Sequence, residues 1–432
     1  MKPHRFLDQL RDVETAPLYG HVEELAAGLV RASGPAARLG QLCEIGLSDG
    51  RTTPAEVVAV SERGITLIPL ELDVSLALGA RVTATPHDRR MLAGDGFAGR
   101  AVDALGRPID GAGPVAGGVS HISAEVSALD RVNPATVMAT GVRAIDGLLT
   151  LGVGQRIGIF AASGVGKTSL IEQLAAQIDC DRCILCLVGE RGREVSGLWD
   201  MAQATAAPER FTLVAATSDE SPVMRARAVD QALALADHWR ARGEHVVLML
   251  DSITRLAMAL REIGLAAGAP PTVRAYTPNV FAALPRIVER CGAVRGGGAI
   301  TAIMTVLSET DDVDDPIVEV MKSLLDGHIV LSRLLADQGH FPAIDIVRSV
   351  SRQAARLVEP DHLALMRNAV GLLAAYDENR VMIESGVYRA RSNERIDAAI
   401  AARAALAGFL RQPNDEAVAP AATLASLRTV PS

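Results

Sequence analysis

Residues 158–171 read Gly-Ile-Phe-Ala-Ala-Ser-Gly-Val-Gly-Lys-Thr-Ser-Leu-Ile, an apolar run that passes through a glycine-rich loop into a Lys-Thr pair. This order predicts a strand, a phosphate-binding loop and the start of a helix. Gly164 and Gly166 permit positive φ, and the helix N-terminus offers free N–H groups to phosphate oxygens. Lys167 supplies a charge for the β- and γ-phosphates of a nucleotide, and Thr168 supplies a hydroxyl for Mg²⁺. The predicted nucleotide-binding residues of this loop are Ser163, Gly164, Val165, Gly166, Lys167, Thr168 and Ser169.

One position departs from the strict pattern, because Ala161 stands where glycine is expected. The alternative is a chance glycine-rich turn between a strand and a helix. The apolar strand before the loop and the helical sequence after it favour the phosphate site, because that context distinguishes the motif.

A second apolar run, residues 245–251, ends in Asp251. A continuous apolar run is typical of a buried parallel strand, and a carboxylate at the C-terminal end of such a strand faces the ligand crevice of an open α/β sheet. Asp251 is therefore a predicted Mg²⁺ ligand, with Thr168. The alternative is a strand-ending Asp that caps the next helix.

Residues 184–190 form a further strand-like run that delivers Glu190 after Gly189. A carboxylate there is a candidate catalytic base that orients the water attacking the γ-phosphorus, and Arg191 is a candidate for stabilising the charge that develops. A solvated charge run is the other interpretation. Arg255 lies one helical turn after Asp251, so it either reaches the γ-phosphate or pairs with that Asp.

Several segments together resemble the export ATPase of type III secretion, in its flagellar or injectisome form, which is a relative of the catalytic subunit of rotary ATP synthases. The similarity extends from about residue 20 to residue 412. The segments are Gly189-Glu-Arg-Gly-Arg-Glu-Val195, Asp251-Ser-Ile-Thr-Arg255, Leu325-Asp-Gly-His-Ile-Val-Leu-Ser-Arg333, Pro342-Ala-Ile-Asp345 and Ser349-Val-Ser-Arg352.

The resemblance implies roles that the residues alone do not give. Phe341 matches an aromatic that stacks on adenine, usually Tyr in the family, and a Phe ring keeps the face that stacking requires. Arg352 matches an arginine finger that reaches the neighbouring subunit's site; only eleven residues after Phe341, it cannot easily reach the γ-phosphate of its own site.

The resemblance also implies ATP and Mg²⁺ as cofactors and a homohexameric ring. Its expected partners are a stator-like regulator, a coiled-coil protein of the central stalk, export chaperone–cargo complexes and the export gate at the inner membrane. We expect a cytoplasmic protein, peripherally associated with that membrane. Hydrolysis would release chaperones and unfold cargo, in the flagellar system in preference to the injectisome.

Composition agrees with this interpretation. With 43 Lys and Arg against 51 Asp and Glu, the chain carries a net charge of −8, so no nucleic-acid partner is expected. No apolar run approaches the roughly 18 residues of a membrane-spanning helix. Of five cysteines, Cys180, Cys183 and Cys186 lead into the strand that ends at Glu190. We interpret them as buried thiols in a reducing cytoplasm and not as a metal site.

The expected fold class is α/β, a P-loop core of the RecA-like type with a mainly parallel sheet, preceded by a β-barrel and followed by a helical domain. Five segments are predicted: a docking helix in residues 1–19, with Phe6, Leu7 and Leu10 on one face; a barrel in 20–93; the ATPase domain in 94–353; helices in 354–412; and a disordered tail in 413–432.

Three other functions fit these features less well. A rotary ATP synthase catalytic subunit would carry an acidic torque loop, which the C-terminal helices lack. An RNA-translocating helicase would need aromatic stacking residues in its barrel, and residues 20–90 offer none. A non-catalytic nucleotide-binding ring subunit would typically lack the carboxylate at Glu190, whose presence favours catalysis.

Overall fold

The computed structural model describes residues 19–26, 28–85, 91–121, 126–308 and 315–431. The predicted docking helix, with Phe6, Leu7 and Leu10, lies outside the described residues. The chain divides into two compact units. One holds the first described residues up to Thr85 with residues 219–226 and 258–280, and the other holds the remainder.

The first unit contains a closed barrel in the strand order β1-β2-β5-β4-β3-β6, closed by pairing of β6 with β1. Alternate residues point inward, as Cys43 and Ile45 do in β3. The barrel core is therefore made of apolar side chains, among which Ile45 and Leu67 are fully buried. The strands are β1 Tyr19–Ala26, β2 Leu29–Ala32, β3 Leu42–Gly46, β4 Thr52–Ser61, β5 Gly64–Pro69 and β6 Arg81–Ala84.

The second unit is built on a ten-stranded sheet whose main path runs β20-β19-β13-β18-β16-β14-β15-β8. Off this path, β17 pairs with β18, and β10 pairs with β17. The strands from β13 to β8 along this path run parallel, whereas β20 is antiparallel to β19. The remaining strands are β7 Met91–Ala93, β8 Ala101–Asp103, β9 Val119–His121, β10 Arg131–Val132, β11 Val137–Met138, β12 Leu151–Gly152, β13 Arg156–Ala161, β14 Arg182–Glu190, β15 Phe211–Thr217, β16 His245–Asp251, β17 Gly292–Val294, β18 Ala299–Leu307, β19 Gly327–Leu331 and β20 Ile344–Ser351.

Helices cover the sheet, and this is why its central strands are buried along almost their whole length. The α-helices are α1 Arg143–Leu148, α2 Lys167–Gln177, α3 Gly192–Gln203, α4 Pro222–Arg240, α5 Ile253–Ala266, α6 Pro278–Arg290, α7 Pro316–Leu324, α8 Arg333–Asp337, α9 Ala354–Leu357, α10 Pro360–Glu384, α11 Glu394–Leu410 and α12 Pro420–Leu427. Among the described residues, none of these helices is both long and apolar enough to cross a membrane.

The disordered tail predicted for residues 413–432 is wrong over α12. Thr423 and Leu427 are each 1% exposed. Gly147 in α1 makes room for this helix, because a Cβ there would lie 2.7 Å from the Phe409 ring and 3.2 Å from the Thr423 methyl group. Proline and alanine dominate the tail and suggest disorder, but here proline begins a helix and alanine favours one.

The fold class predicted from the sequence is confirmed: a P-loop core with a mainly parallel sheet, a preceding six-stranded barrel and C-terminal helices. The domain limits at residues 20, 94 and 354 stay predictions.

Candidate nucleotide site

The predicted phosphate loop connects β13 to α2. Gly164 has φ 79° and Gly166, the N-cap of α2, has φ 91°. A Cβ at Gly164 would meet no atom within 4 Å, so the left-handed backbone is what requires glycine there. Lys167 begins the helix, and the free N–H groups of its first turn open toward the loop.

Three predicted site residues converge at one edge of the sheet. Lys167 follows β13, Asp251 ends β16 and Glu190 ends β14, and parallel strands bring their carboxyl ends together. The Lys167 ammonium donates to the Asp251 carboxylate, and its Nζ lies 3.6 Å from Glu190 Oε1. All three side chains are at most 12% exposed, so the charges interact away from bulk water.

Burial is the main reason why the pKa of Glu190 is raised. The Lys167 ammonium and the Arg255 guanidinium lower this pKa, while the Asp251 and Glu194 carboxylates raise it. A carboxylate with this environment holds a proton more readily than an ordinary Glu, which suits a group that must accept one from water.

Thr305 also belongs to the site, although it is not among the residues predicted from the sequence. Its hydroxyl donates to Asp251 Oδ1 at 2.6 Å, because β18 lies beside β16 with Met304 opposite Leu250. The available signal is a polar residue near the carboxyl end of a mainly apolar strand. This signal identifies a site residue only once the sheet order is known, because β18 lies between β13 and β16.

Arg255 lies over the strand end that carries Glu190. A Cβ at Gly189, where φ is 69°, would lie 3.2 Å from the Arg255 Cβ. The Arg255 Nε is buried and has no hydrogen-bond partner. The side chain therefore lies at the site with unused donor capacity for an anion. Arg191, by contrast, is exposed at the N-cap of α3, and the structure records no contact from it to this cluster.

The ring of Phe341 lies beside the phosphate loop. A Cβ at Gly166 would lie 3.4 Å from Phe341 Cε1, and the side chain is 47% exposed. Gln412 fixes the backbone here by donating its N–H to the Phe341 carbonyl at 3.0 Å. An exposed aromatic face next to the loop is the arrangement that base stacking needs.

Arg352 is not brought to this cluster. It follows β20, whose last residue, Ser351, accepts a hydrogen bond from Gln155 at 3.1 Å. Gln155 lies just before β13, and the phosphate loop lies just after this strand. The six residues of β13 therefore separate Gln155 from the loop by roughly 20 Å. The Arg352 side chain is exposed and donates to the Lys322 carbonyl at 3.0 Å.

The other loop residues have distinct surroundings. Val165 is buried, Thr168 is half-buried, and Ser163 and Ser169 are exposed. Arg333 donates to the Ser163 carbonyl at 3.3 Å and so holds the loop from the side of α8. Arg333 ends one of the segments that carry the family resemblance, and its contact with the loop is not among the predictions from the sequence.

Comparisons with known proteins agree with this geometry. Residues 141–351 match the ATP synthase alpha/beta family, nucleotide-binding domain, and residues 358–429 match the T3SS EscN ATPase C-terminal domain. The flagellum-specific ATP synthase of Bacillus subtilis is 40% identical over 100% of this chain and 99% of its own length. The type 3 secretion system ATPase of Xanthomonas euvesicatoria is 41% identical over 95% and 94%.

A solved structure has the same fold. The assembled ATPase EscN from the type III secretion system of enteropathogenic E. coli superimposes with a TM-score of 0.89 at 36% identity, covering 95% of this chain and 99% of that one. Family matches, full-length relatives and fold all agree. The chain is an ATPase and belongs to the family that unites the flagellum-specific ATP synthases with the type III secretion system ATPases.

Proposed function

We propose that this chain hydrolyses Mg-bound ATP and that hydrolysis energises protein export through a flagellar type III secretion apparatus. The observation that carries the catalytic part is the buried cluster of Lys167, Asp251 and Glu190 beside the loop at Gly166. A nucleotide-binding subunit without turnover has no need of a carboxylate with a raised pKa at this position.

Each residue of the cluster has a separate role. Lys167 leaves its carboxylate partners for the β- and γ-phosphates, which compete for the same ammonium. Glu190 orients the attacking water and accepts its proton. Arg255, whose Nε has no partner, offers positive charge to the γ-phosphate oxygens, and Arg191 is proposed to add charge from the rim.

The residues present fit Mg²⁺. Thr168 supplies a hydroxyl and Asp251 a carboxylate, and oxygen donors of this kind are the ligands that Mg²⁺ prefers. Few protein ligands suit Mg²⁺, which keeps several waters and binds through one or two side chains and the substrate phosphates. When bound, the ion neutralises charge on the β- and γ-phosphate oxygens.

We further propose a homohexamer in which Arg352 acts on the neighbouring subunit's ATP. EscN has been solved assembled and in complex with its central stalk EscO, the latter with a TM-score of 0.85 to this chain. The placement of Arg352 supports this proposal, since it lies roughly 20 Å from its own phosphate loop. An arginine finger supplied in trans contributes about 10³–10⁵ in rate.

Mixing two inactive variants tests the shared site. Arg352→Ala and Glu190→Gln subunits are each expected to be inactive alone. In a mixed ring, some adjacent pairs join an intact Glu190 to an intact Arg352, so turnover should partly return. Arg356→Ala, an exposed arginine four residues away, is the matched control and should keep its activity. No recovery in rings shown by mass to be mixed would remove Arg352 from the mechanism.

The flagellar assignment rests on the flagellum-specific relative that aligns with the whole chain, and the injectisome is the second candidate because a type 3 secretion system ATPase is equally similar. Deleting the gene in its own cell separates them. Loss of filaments and swimming, restored by the wild-type gene but not by Lys167→Ala, supports the flagellar system. Intact swimming with lost effector export would assign the protein to an injectisome.

We propose the partners that this role requires: a stator-like regulator, a coiled-coil protein of the central stalk, chaperone–cargo complexes and the export gate. The protein would act in the cytoplasm, peripherally at the inner membrane. Copurification of each partner with the full chain, with and without ATP, tests this set.

A further inference from the structure

Two threonine side chains of β18 are fully buried, Thr301 near the start of the strand and Thr305 near its end. They lie four residues apart, so both point to the same face of the sheet, about 13 Å from each other. Every residue of β18 before Leu307 is buried. A hydroxyl in such surroundings destabilises the fold unless it is hydrogen-bonded. Each threonine therefore requires a partner of its own.

Thr301 has partners that lie away from the nucleotide site. Its Oγ1 accepts the Gly154 N–H at 2.8 Å and lies 2.8 Å from Nε2 of His245, the first residue of β16. Gly154 is in the turn before β13, whereas the phosphate loop follows that strand. The Thr301 hydroxyl thus satisfies groups at the opposite edge of the sheet, and its role is structural.

Thr305 has the proposed Mg²⁺ ligand Asp251 as its partner. Its hydroxyl donates to Asp251 Oδ1 at 2.6 Å, whereas the Leu250 carbonyl lies farther away, at 3.5 Å. A hydroxyl carries a single proton, and the closer, charged acceptor makes the stronger hydrogen bond. Thr305 is therefore a dedicated donor to the Asp251 carboxylate.

The two carboxylate oxygens of Asp251 have different surroundings. Oδ1 accepts from both the Thr305 hydroxyl and the Lys167 ammonium, while no hydrogen bond from the described residues reaches Oδ2. Asp251 is 3% exposed and Thr305 is 1% exposed, so bulk water does not compete for Oδ1. The carboxylate is thus held through one oxygen, and the other oxygen remains available to a cation.

We infer that Thr305 is a positioning residue for Mg²⁺, an inference that rests on the proposed Mg-ATP site. When the ATP phosphates take the Lys167 ammonium, Thr305 is the donor that stays on Asp251 Oδ1. With Oδ1 fixed, rotation of the carboxylate about its Cβ–Cγ bond is restricted, and Oδ2 keeps one direction. Removing a hydrogen-bond partner of a metal-ligating carboxylate typically lowers metal affinity by about 10–100-fold.

The test compares Thr305→Val, which removes the hydroxyl and keeps the shape of the side chain, with Thr301→Val, the same substitution on the same face of the same strand. A fluorescent ATP analogue is titrated into each full-length protein in EDTA and at a series of Mg²⁺ concentrations. The wild type should bind the analogue more tightly with Mg²⁺. Thr305→Val should need about 10–100-fold more Mg²⁺ for the same tightening, while its affinity in EDTA stays at the wild-type value. Thr301→Val should keep the wild-type Mg²⁺ dependence.

A second pair of variants covers the case in which valine disturbs the fold. Thr305→Ser keeps the hydroxyl and Thr305→Ala removes it, and both lack the methyl group of threonine. The serine variant should retain most of the Mg²⁺ affinity, and the alanine variant should lose it. Equal Mg²⁺ dependence with and without the hydroxyl, or the same loss in Thr301→Val, would overturn the inference and leave the Mg-ATP site standing. A wild type whose binding does not respond to Mg²⁺ would instead refute the proposed function, and this inference with it.

Discussion

Glu190→Gln is expected to abolish turnover while preserving ATP binding, because glutamine keeps the volume of the side chain and removes its charge and its ability to accept a proton. Losing a positioned base costs about 10²–10⁴ in rate, which corresponds to roughly 3–5 kcal/mol of barrier. Lys167→Ala should also abolish turnover, but it removes a phosphate contact and should weaken ATP binding.

The geometry of the cluster predicts how ATP affinity changes. With Nζ and Oε1 3.6 Å apart, the attraction between Lys167 and Glu190 is roughly 4–5 kcal/mol at an effective dielectric constant of about 20. Desolvation of the buried pair offsets most of this attraction. ATP must draw Lys167 away from Glu190, so the Gln variant should bind ATP as tightly as the wild type or up to about tenfold more tightly.

Two assays separate these effects: phosphate release under saturating Mg-ATP, and binding of a fluorescent ATP analogue. Glu194→Gln is the matched control, since it removes a nearby half-buried carboxylate that the proposed mechanism does not use. It should retain most of the turnover. Near-normal hydrolysis by Glu190→Gln would refute the base assignment, and strongly weakened ATP binding would show that its side chain supports the pocket.

Three further outcomes are expected. Because burial raises the pKa of Glu190, kcat/KM should fall as the pH is lowered, with an apparent pKa above that of an ordinary Glu. The raised pKa also means that protonated Glu190 favours the folded state. Its contribution to the free energy of unfolding is therefore lost as the pH rises through that pKa. An acid limb at the ordinary Glu value would contradict this. Phe341→Tyr should keep ATP affinity, and Phe341→Ala should lose about 1–3 kcal/mol of base stacking, measured by nucleotide titration; equal affinity in both variants would exclude stacking. Leu427→Ala should lower the free energy of unfolding by about 2–5 kcal/mol in denaturant titrations, because its side chain is buried. Leu129→Ala is the control at an 84% exposed position and should change this free energy by less than about 0.5 kcal/mol. Equal effects of the two substitutions would show that α12 is not packed against the rest of the chain.

The sequence allowed prediction of those site residues whose role is set by local order. A glycine-rich loop after a strand constrains the backbone around Gly166 whatever surrounds it, and Asp251 and Glu190 each end an apolar strand, where a parallel sheet exposes its ligand-facing edge. Thr305 could not be found in this way. Its role depends on which strand lies beside β16, and sheet order is not written in the local pattern of any one strand.

The packing of the tail could not be predicted from its local sequence either. Nothing local to residues 413–427 indicates burial, yet the Gln412 amide donates to the Gly141 carbonyl at 2.7 Å and the Val418 N–H donates to the same carbonyl at 3.0 Å. These partners lie about 270 residues away along the chain, so composition alone could not predict them. Gln177, the last residue of α2, also donates to the Asn414 carbonyl at 3.2 Å. The tail is therefore bonded to the helix that begins at Lys167, and its removal would leave the Gln177 amide without its acceptor at Asn414 and would uncover Gly147 in α1, against which α12 packs.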